Sequence, residues 1–348
     1  MTDYVGRFAP SPTGRMHVGV ARTCLGAWLD ARRHRGRILL RIEDLDAPRV
    51  VPGAADEIRR DLEWLGLDWD EGPDRAGAHG PYFQSQREDH YLAALERLTR
   101  LGRTYPCTCS RKEIALASSA PHGPSDEGPR YPETCRDGRG LKPDRPAAIR
   151  LRTEPGDGVH HRDRLFGDIR QDVHREVGDF VIRRAPTPAK GGATEDGRSD
   201  SLRPSHGSAG GGLWAYQLAV AADDLAQGVT CVVRGADLLG STPRQLLIRR
   251  LLDSGAAPLS TLHLPLVRGE DGKRLAKRDG TAGIAGRREA GERPERVIGA
   301  LAASFGLVPP GTELTAAELV PLWDPARIAA QDTTFTERGE FDPRRPMF

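Results

Sequence analysis

The chain has 348 residues, enough for about two domains at roughly 100–200 residues each. With 38% hydrophobic and 29% charged residues and a mean hydropathy of −0.52, it reads as a water-soluble globular protein, with no apolar run near the ~18 residues of a membrane span. The 51 basic and 49 acidic residues leave +2, so no global field marks a polyanion partner and any nucleic acid has to be held by local patches. The first ten residues lack a basic leader and apolar run, so a cytoplasmic protein without a signal peptide is expected.

Tyr4 to Ala9 reads as a buried strand, ended by the Pro10–Gly14 turn. Ala21, Leu25, Trp28, Leu29 and Arg32 then recur at helical spacing, and Arg37 to Ile42 gives a second strand. Strand, turn, helix and strand predict a parallel pair with a right-handed crossover. Amphipathic helices are expected after Pro52, with Ile58, Leu62 and Leu65, and over Arg87 to Leu101. From Cys107 to about Arg184 the pattern is broken and polar, with strand-like runs at Ala147–Leu151 and Phe180–Ile182. This predicts an insertion into an α/β domain. Residues 185–212 are too poor in apolar groups to offset chain entropy and predict a flexible loop. Apolar, strand-like runs return at Leu218–Ala222, Val229–Val233 and Leu262–Val267, with a helix near Pro243–Leu252. From about Arg293 the chain reads helical and small.

Three local patterns carry chemistry. Pro10–Gly14 followed by His17, Gly19 and Val20 at a helix start is a phosphate site in outline. A helix N-terminus presents unpaired N–H groups, glycines permit close backbone approach, and His17 can donate to phosphate oxygens. Gly272–Gly280 is a basic loop after a strand, where Lys277 can pair with developing phosphoryl charge. Cys107, Cys109 and Cys135 offer three thiolates for a tetrahedral zinc ion, with the phenolate of Tyr131 as the fourth ligand. The odd total of five cysteines argues against a disulfide framework.

Together these motifs resemble the class I aminoacyl-tRNA synthetases of the glutamyl type. His17–Val20 resembles their HIGH signature and Arg274–Arg278 their KMSKS loop. The strings GRFAPSPTG, RIEDLD, FGDI, VVRGADLL and LHLPLV match as well, over residues 4 to about 300. The resemblance implies an α/β fold: a Rossmann-like class I catalytic domain in two halves, 1–106 and 213–268. Between them it implies a zinc-containing acceptor-type insertion at 107–184 and a loop at 185–212, and after them a KMSKS-like loop and small helical C-terminal region at 269–348.

It implies an enzyme that uses ATP, with magnesium, to turn L-glutamate into glutamyl-adenylate. Arg7, Ser11, Glu43, Tyr216 and Arg234 would bind glutamate, and His17, Gly19 and Lys277 would serve ATP, with His17 and Lys277 catalytic. Cys107, Cys109, Tyr131 and Cys135 would hold structural zinc, which the resemblance supports. Two departures stand out. Val20 cannot donate the hydrogen bond of the last HIGH position, and Arg274 and Ala276 replace a lysine and a serine, while Lys277 remains. A slower enzyme is expected, not a dead one.

About seventy residues follow Gly280, which leaves no room for the helical anticodon-binding domains of full glutamyl enzymes. The expected relatives are therefore the truncated paralogues, which activate glutamate without tRNA and transfer it to queuosine in the anticodon of tRNA(Asp). A shortened enzyme charging tRNA(Glu) and a catalytically silent nucleotide- or RNA-binding paralogue are the alternatives. A monomer is expected. Arg244, Arg249, Arg250, Lys273, Arg274, Arg278, Arg287 and Arg288 are candidates for a basic RNA patch, against a plain reading as solvated surface.

Overall fold

In the computed structural model, which describes residues 3–117, 130–186, 212–272, 283–336 and 341–342, the N-terminus builds the expected βαβ unit. β1 (Val5–Phe8) is buried along its whole length, as befits a strand covered on both faces. In the turn that follows, Gly14 holds φ +128°, which side chains rarely tolerate. α1 (Val18–Arg33) is capped by His17, whose Nδ1 accepts from the Gly19 N–H at 3.1 Å. β2 (Arg37–Leu40) then pairs with β1 in parallel, Val5 opposite Arg37 and Phe8 opposite Leu40.

α2 (Ala54–Trp64) and α3 (Glu88–Arg100) bury Ile58 and Leu62, and Tyr91, Ala94 and Leu98, at the predicted helical spacing. β3 (Thr104–Cys107), α4 (Arg111–Ala117) and β4 (Ala148–Leu151) follow, then β5 (Gly158–Asp163), β6 (Gly167–Asp172) and β7 (Phe180–Arg183). β3, β4 and β7 form an antiparallel sheet, while β5 and β6 form a hairpin. Next come α5 (Tyr216–Ala226), β8 (Cys231–Gly235), α6 (Thr242–Leu252) and β9 (Ser260–Leu264). β8 and β9 are parallel, and β9 also meets β5 at Thr261–Asp163, so this sheet runs β6-β5-β9-β8. The Thr230 N–H bonds the Val5 carbonyl at 3.0 Å, which brings β8 alongside β1.

The C-terminal part contains β10 (Val267–Gly269), α7 (Ile284–Glu289), α8 (Pro294–Ser304), α9 (Ala316–Leu319), β11 (Thr333–Phe335) and β12 (Phe341–Asp342). β10, β11 and β12 form a small sheet that the helical reading did not anticipate. The main core joins α1 and the strands to this region through Leu25, Ile38, Leu264, Leu301, Phe305 and Leu319. Gly26 makes the contact close, because a Cβ there would lie 2.7 Å from Leu264 Cδ1.

Two readings change. Leu218–Ala222 is not a strand but the middle of α5. Every residue from Gln217 to Asp224 is buried, so the helix shows an unbroken run instead of an apolar stripe. The β5–β6 hairpin was not foreseen, because the inward-facing His161 and Asp163 are polar like the exposed His160 and Arg162, which hides the alternation. Residues 187–211, most of the segment read as a loop, lie outside the described residues.

One buried acid ties three distant segments together. Asp30 on α1 accepts hydrogen bonds from Tyr4 Oη (2.6 Å), both terminal nitrogens of Arg164 beside the hairpin (2.5 and 2.8 Å) and Trp323 Nε1 (2.9 Å). Burial pushes its pKa up, but Arg164 and the other donors outweigh this and hold the carboxyl below its usual range. A lowered folded-state pKa stabilises the protein above the unfolded value and is lost as pH falls through the folded one. Asp30→Ala should therefore cost about 3 kcal/mol in urea unfolding at neutral pH. The gap to wild type should shrink as the pH drops below about 4.

Candidate active site

A cavity of about 780 Å³ opens where the chain leaves β1, β8 and β9 and where α1 begins. Ligands of open α/β sheets bind at such carboxyl ends of strands. Of the residues expected at the site, Arg7, Ser11, His17, Gly19, Glu43, Tyr216 and Arg234 all line this one cavity. Lys277, with Arg274 and Ala276, lies outside the described residues.

One end of the cavity suits phosphate. The first turn of α1 carries no acidic residue, so nothing there cancels its positive dipole end. A Cβ on Gly19 would come within 3.1 Å of the His17 ring, so glycine keeps the helix start open beside the imidazole. Val20 and Thr23 continue the wall along α1. His17 also forms a bridge with Gly283, and the Ile284 N–H bonds the Met16 carbonyl at 2.8 Å. Val267 lines the cavity too, so the described residues flanking the Lys277 segment reach this end from both sides.

The other end is built from buried charge. Arg41, fully buried at the end of β2, donates to Asp224 Oδ1 and Gln227 Oε1 at 2.8 Å each, and to Glu43 Oε1 at 3.3 Å. Arg7 Nε lies 3.5 Å from Asp224 Oδ1 and makes no hydrogen bond, while its Nη1 reaches the Val233 carbonyl. Asp223, the residue just before Asp224 on α5, accepts from Gln84, Arg87 Nε (2.6 Å) and Tyr91 Oη. Burial raises the pKa of Glu43 against the pull of Arg41 and Arg7, whereas for Asp224 the same two arginines win and lower it. The Tyr216 phenol is raised by burial, with Arg234 opposing.

Arg234 on β8 is held differently. Its Nε donates to His263 Nε2 (3.0 Å), Nη1 to Gln245 Oε1 (2.8 Å), and Nη2 to Thr242 Oγ1 (2.8 Å) and the Leu238 carbonyl (3.3 Å). Among the described residues no carboxylate comes within ion-pair distance of it. A buried cation without a counter-ion favours an anionic ligand. Arg41, Asp223, Asp224, Asp163 and His263 were missed from the sequence. An arginine closing an apolar strand and an acid doublet inside the apolar run of α5 were the available signals.

The cysteine cluster sits apart, around β3. The Sγ atoms of Cys107, Cys109 and Cys135 lie within 4.8 Å of one another. Tyr131 Oη stands 3.4 Å from Cys107 Sγ and 3.6 Å from Cys109 Sγ. With zinc–sulfur bonds near ~2.3 Å and zinc–oxygen near ~2.0 Å, a tetrahedron has sulfur–oxygen edges of about 3.5 Å, so the four donors fit a zinc ion. The Cys135 N–H donates to Tyr131 Oη at 2.8 Å and the Arg150 guanidinium lies 3.7 Å from the ring centre, while burial and the neighbouring thiols hold the phenol well above its usual pKa, so a bound metal would have to draw off its proton.

Among the described residues the proposed basic patch does not assemble. Arg244 and Arg249 are buried on α6, Arg288 is tied to Asp61 at 3.0 Å, and Arg287 to Glu292. Arg250 remains exposed, and Lys273, Arg274 and Arg278 lie outside the described residues.

The fold and cavity define a class of enzyme. The family model for the catalytic domain of class I tRNA synthetases (E and Q) matches residues 4–188 and 200–318. A glutamate tRNA ligase from Elizabethkingia meningosepticum, solved in complex with its amino acid, has the same fold. It superposes with a TM-score of 0.75 at 24% identity, covering 97% of this chain and 68% of that one. The chain is 45% identical over 328 residues to the glutamyl-Q tRNA(Asp) synthetase of Symbiobacterium thermophilum, covering 93% of each. It is 46% identical to that of Deinococcus radiodurans (91% and 95% covered) and 43% identical to that of Nocardia farcinica (97% and 95%). The chain belongs to the glutamyl-Q tRNA(Asp) synthetase family of class I ligases. Among the described residues, no helix is long and apolar enough to cross a membrane.

Because Arg41 joins β2 to α5 from a fully buried position, Arg41→Met should leave Asp224 short of a counter-charge. It should cost about 3–5 kcal/mol of stability, measured by urea unfolding.

Proposed function

We propose that this ligase activates L-glutamate with ATP in the absence of tRNA and transfers the glutamyl group to queuosine in the anticodon of tRNA(Asp). The observation that carries the first step is one cavity with two unlike ends: a phosphate-type helix start at His17 and Gly19, and buried arginines with spare positive charge. Glutamate has two carboxylates and an ammonium. Arg7 and Arg234 match the carboxylates, and Glu43 and Ser11 match the ammonium, with Tyr216 closing the pocket. The acceptor is suggested by the names of the relatives, which are glutamyl-Q tRNA(Asp) synthetases.

In the first step an α-carboxylate oxygen of glutamate attacks the α-phosphorus of ATP. The bond to the bridging oxygen breaks, and pyrophosphate leaves with its electron pair, giving glutamyl-adenylate. His17, the α1 N–H groups and Lys277 stabilise the phosphates, magnesium accompanies ATP, and the residues contribute positioning and charge instead of a covalent bond. A hydroxyl oxygen of queuosine then attacks the anhydride carbonyl, its proton is released, and AMP departs.

The test is glutamate-dependent ATP–pyrophosphate exchange without tRNA, followed by transfer of labelled glutamate. Exchange is expected without tRNA, and transfer only to tRNA(Asp) that carries queuosine. Exchange that requires tRNA(Glu), or no exchange at all, would overturn the reading.

We further assign one structural zinc to Cys107, Cys109, Tyr131 and Cys135, where it would crosslink the small core of Tyr105, Tyr131 and Cys135. Elemental analysis of protein purified without chelator should find about one zinc per chain, and Cys135→Ser should lower both the zinc content and the melting temperature. Metal-free protein of unchanged melting temperature would remove the assignment.

A further inference from the structure

Arg234 owes its orientation to a neutral acceptor. For His263 Nε2 to accept from Arg234 Nε at 3.0 Å, the imidazole proton has to sit on Nδ1. Nδ1 faces Asp163 Oδ2 at 2.7 Å. Asp163 is buried and also accepts from the backbone N–H groups of Leu165 and Phe166 through Oδ1 and from that of His263 through Oδ2. Those bonds leave Asp163 an acceptor only, which fixes the His263 tautomer. Thr242 Oγ1 lies 3.1 Å from the same Nε2 and 2.8 Å from Arg234 Nη2, completing a closed set.

The chemistry of this arrangement differs from that around Arg41. There the guanidinium is matched by carboxylates, so its charge is already compensated. At Arg234 the direct partners are an imidazole, an amide, a hydroxyl and a carbonyl. Each fixes an N–H direction without supplying negative charge. Among the described residues, the acid that this set reaches, Asp163, is one residue removed, behind the His263 ring.

The geometry points to His263, held by Asp163, as a positioning residue that orients Arg234 while leaving its charge free for the substrate carboxylate. This rests on the assignment of Arg234 to the glutamate pocket. His263 and Asp163 do not line the cavity, so they act through Arg234 and not on the ligand.

Two substitutions separate positioning from packing. His263→Asn keeps a donor near the Nδ1 position for Asp163 but offers Arg234 no acceptor. His263→Gln carries its amide out to the Nε2 position, where its oxygen can accept from Arg234. In ATP–pyrophosphate exchange, His263→Asn should raise the glutamate KM by roughly tenfold, with kcat and the ATP KM little changed. His263→Gln should recover most of that loss. Asp163→Asn provides a second route, because it frees the ring to take the other tautomer and should raise the glutamate KM in the same selective way. Equal effects of the two His263 variants, parallel changes in the ATP KM, or loss of soluble protein in both His263→Asn and Asp163→Asn would overturn the proposal. Arg234→Ala distinguishes the two levels. If it leaves the glutamate KM unchanged, the pocket assignment fails. If it raises that KM while His263→Asn does not, only the positioning role fails.

Discussion

Burying arginine is costly unless its charge and its N–H groups are met, and the site depends on how this chain meets that demand. Arg41 is the keystone: it stands at the end of β2 with no exposed surface and draws Asp224, Gln227 and Glu43 around it. Asp223, the residue just before Asp224 on α5, collects Arg87, Gln84 and Tyr91 from the α3 side. The same two-residue acid doublet therefore fixes α5 against both the first strands and α3. Arg7, Arg41, Arg87 and Arg234 face Glu43, Asp223 and Asp224, which leaves the group with an excess of positive charge. That excess lies at Arg234, beside the cavity.

The two ends of the cavity thus work by different physics. The end lined by Arg7, Glu43 and Arg234 uses buried side-chain charges held by one another, which suits a small ligand of fixed shape and charge. The phosphate end uses backbone N–H groups, a helix dipole and a glycine, which suit oxygens of any phosphate that arrives there. On the proposed function, specificity would reside at the first end and general nucleotide affinity at the second.

Much of this was legible in the sequence, and the limits have physical causes. β1, α1 and β2 could be read because their signals are local: an apolar strand, a Pro/Gly turn, a helical stripe. His17 and Gly19 could be placed at a helix start for the same reason, since a turn and the onset of a helical stripe are both local signals. Arg7, Glu43, Tyr216 and Arg234 were reached through resemblance, and the fold brings them to one cavity. What joins them was not legible. Arg41 meets Asp224 across 183 positions, and Asp163 meets His263 across 100, so no local pattern announces either pair. α5 was misread for a related reason, because tertiary contacts on every side remove the stripe that marks a helix.

The triple grip on Asp30 also sets a timetable for folding in the cell. Arg164 follows Asp30 by 134 positions and Trp323 by 293. At ribosomal rates of roughly 5–20 residues per second, Arg164 emerges about 7–27 s after Asp30 and Trp323 about 15–60 s after it. Until Arg164 emerges α1 lacks the hairpin clasp, and until Trp323 emerges it still lacks the C-terminal cover for Leu25 and Gly26. The N-terminal half must wait, with its apolar face open to solvent or to a chaperone, until almost the whole chain has been made.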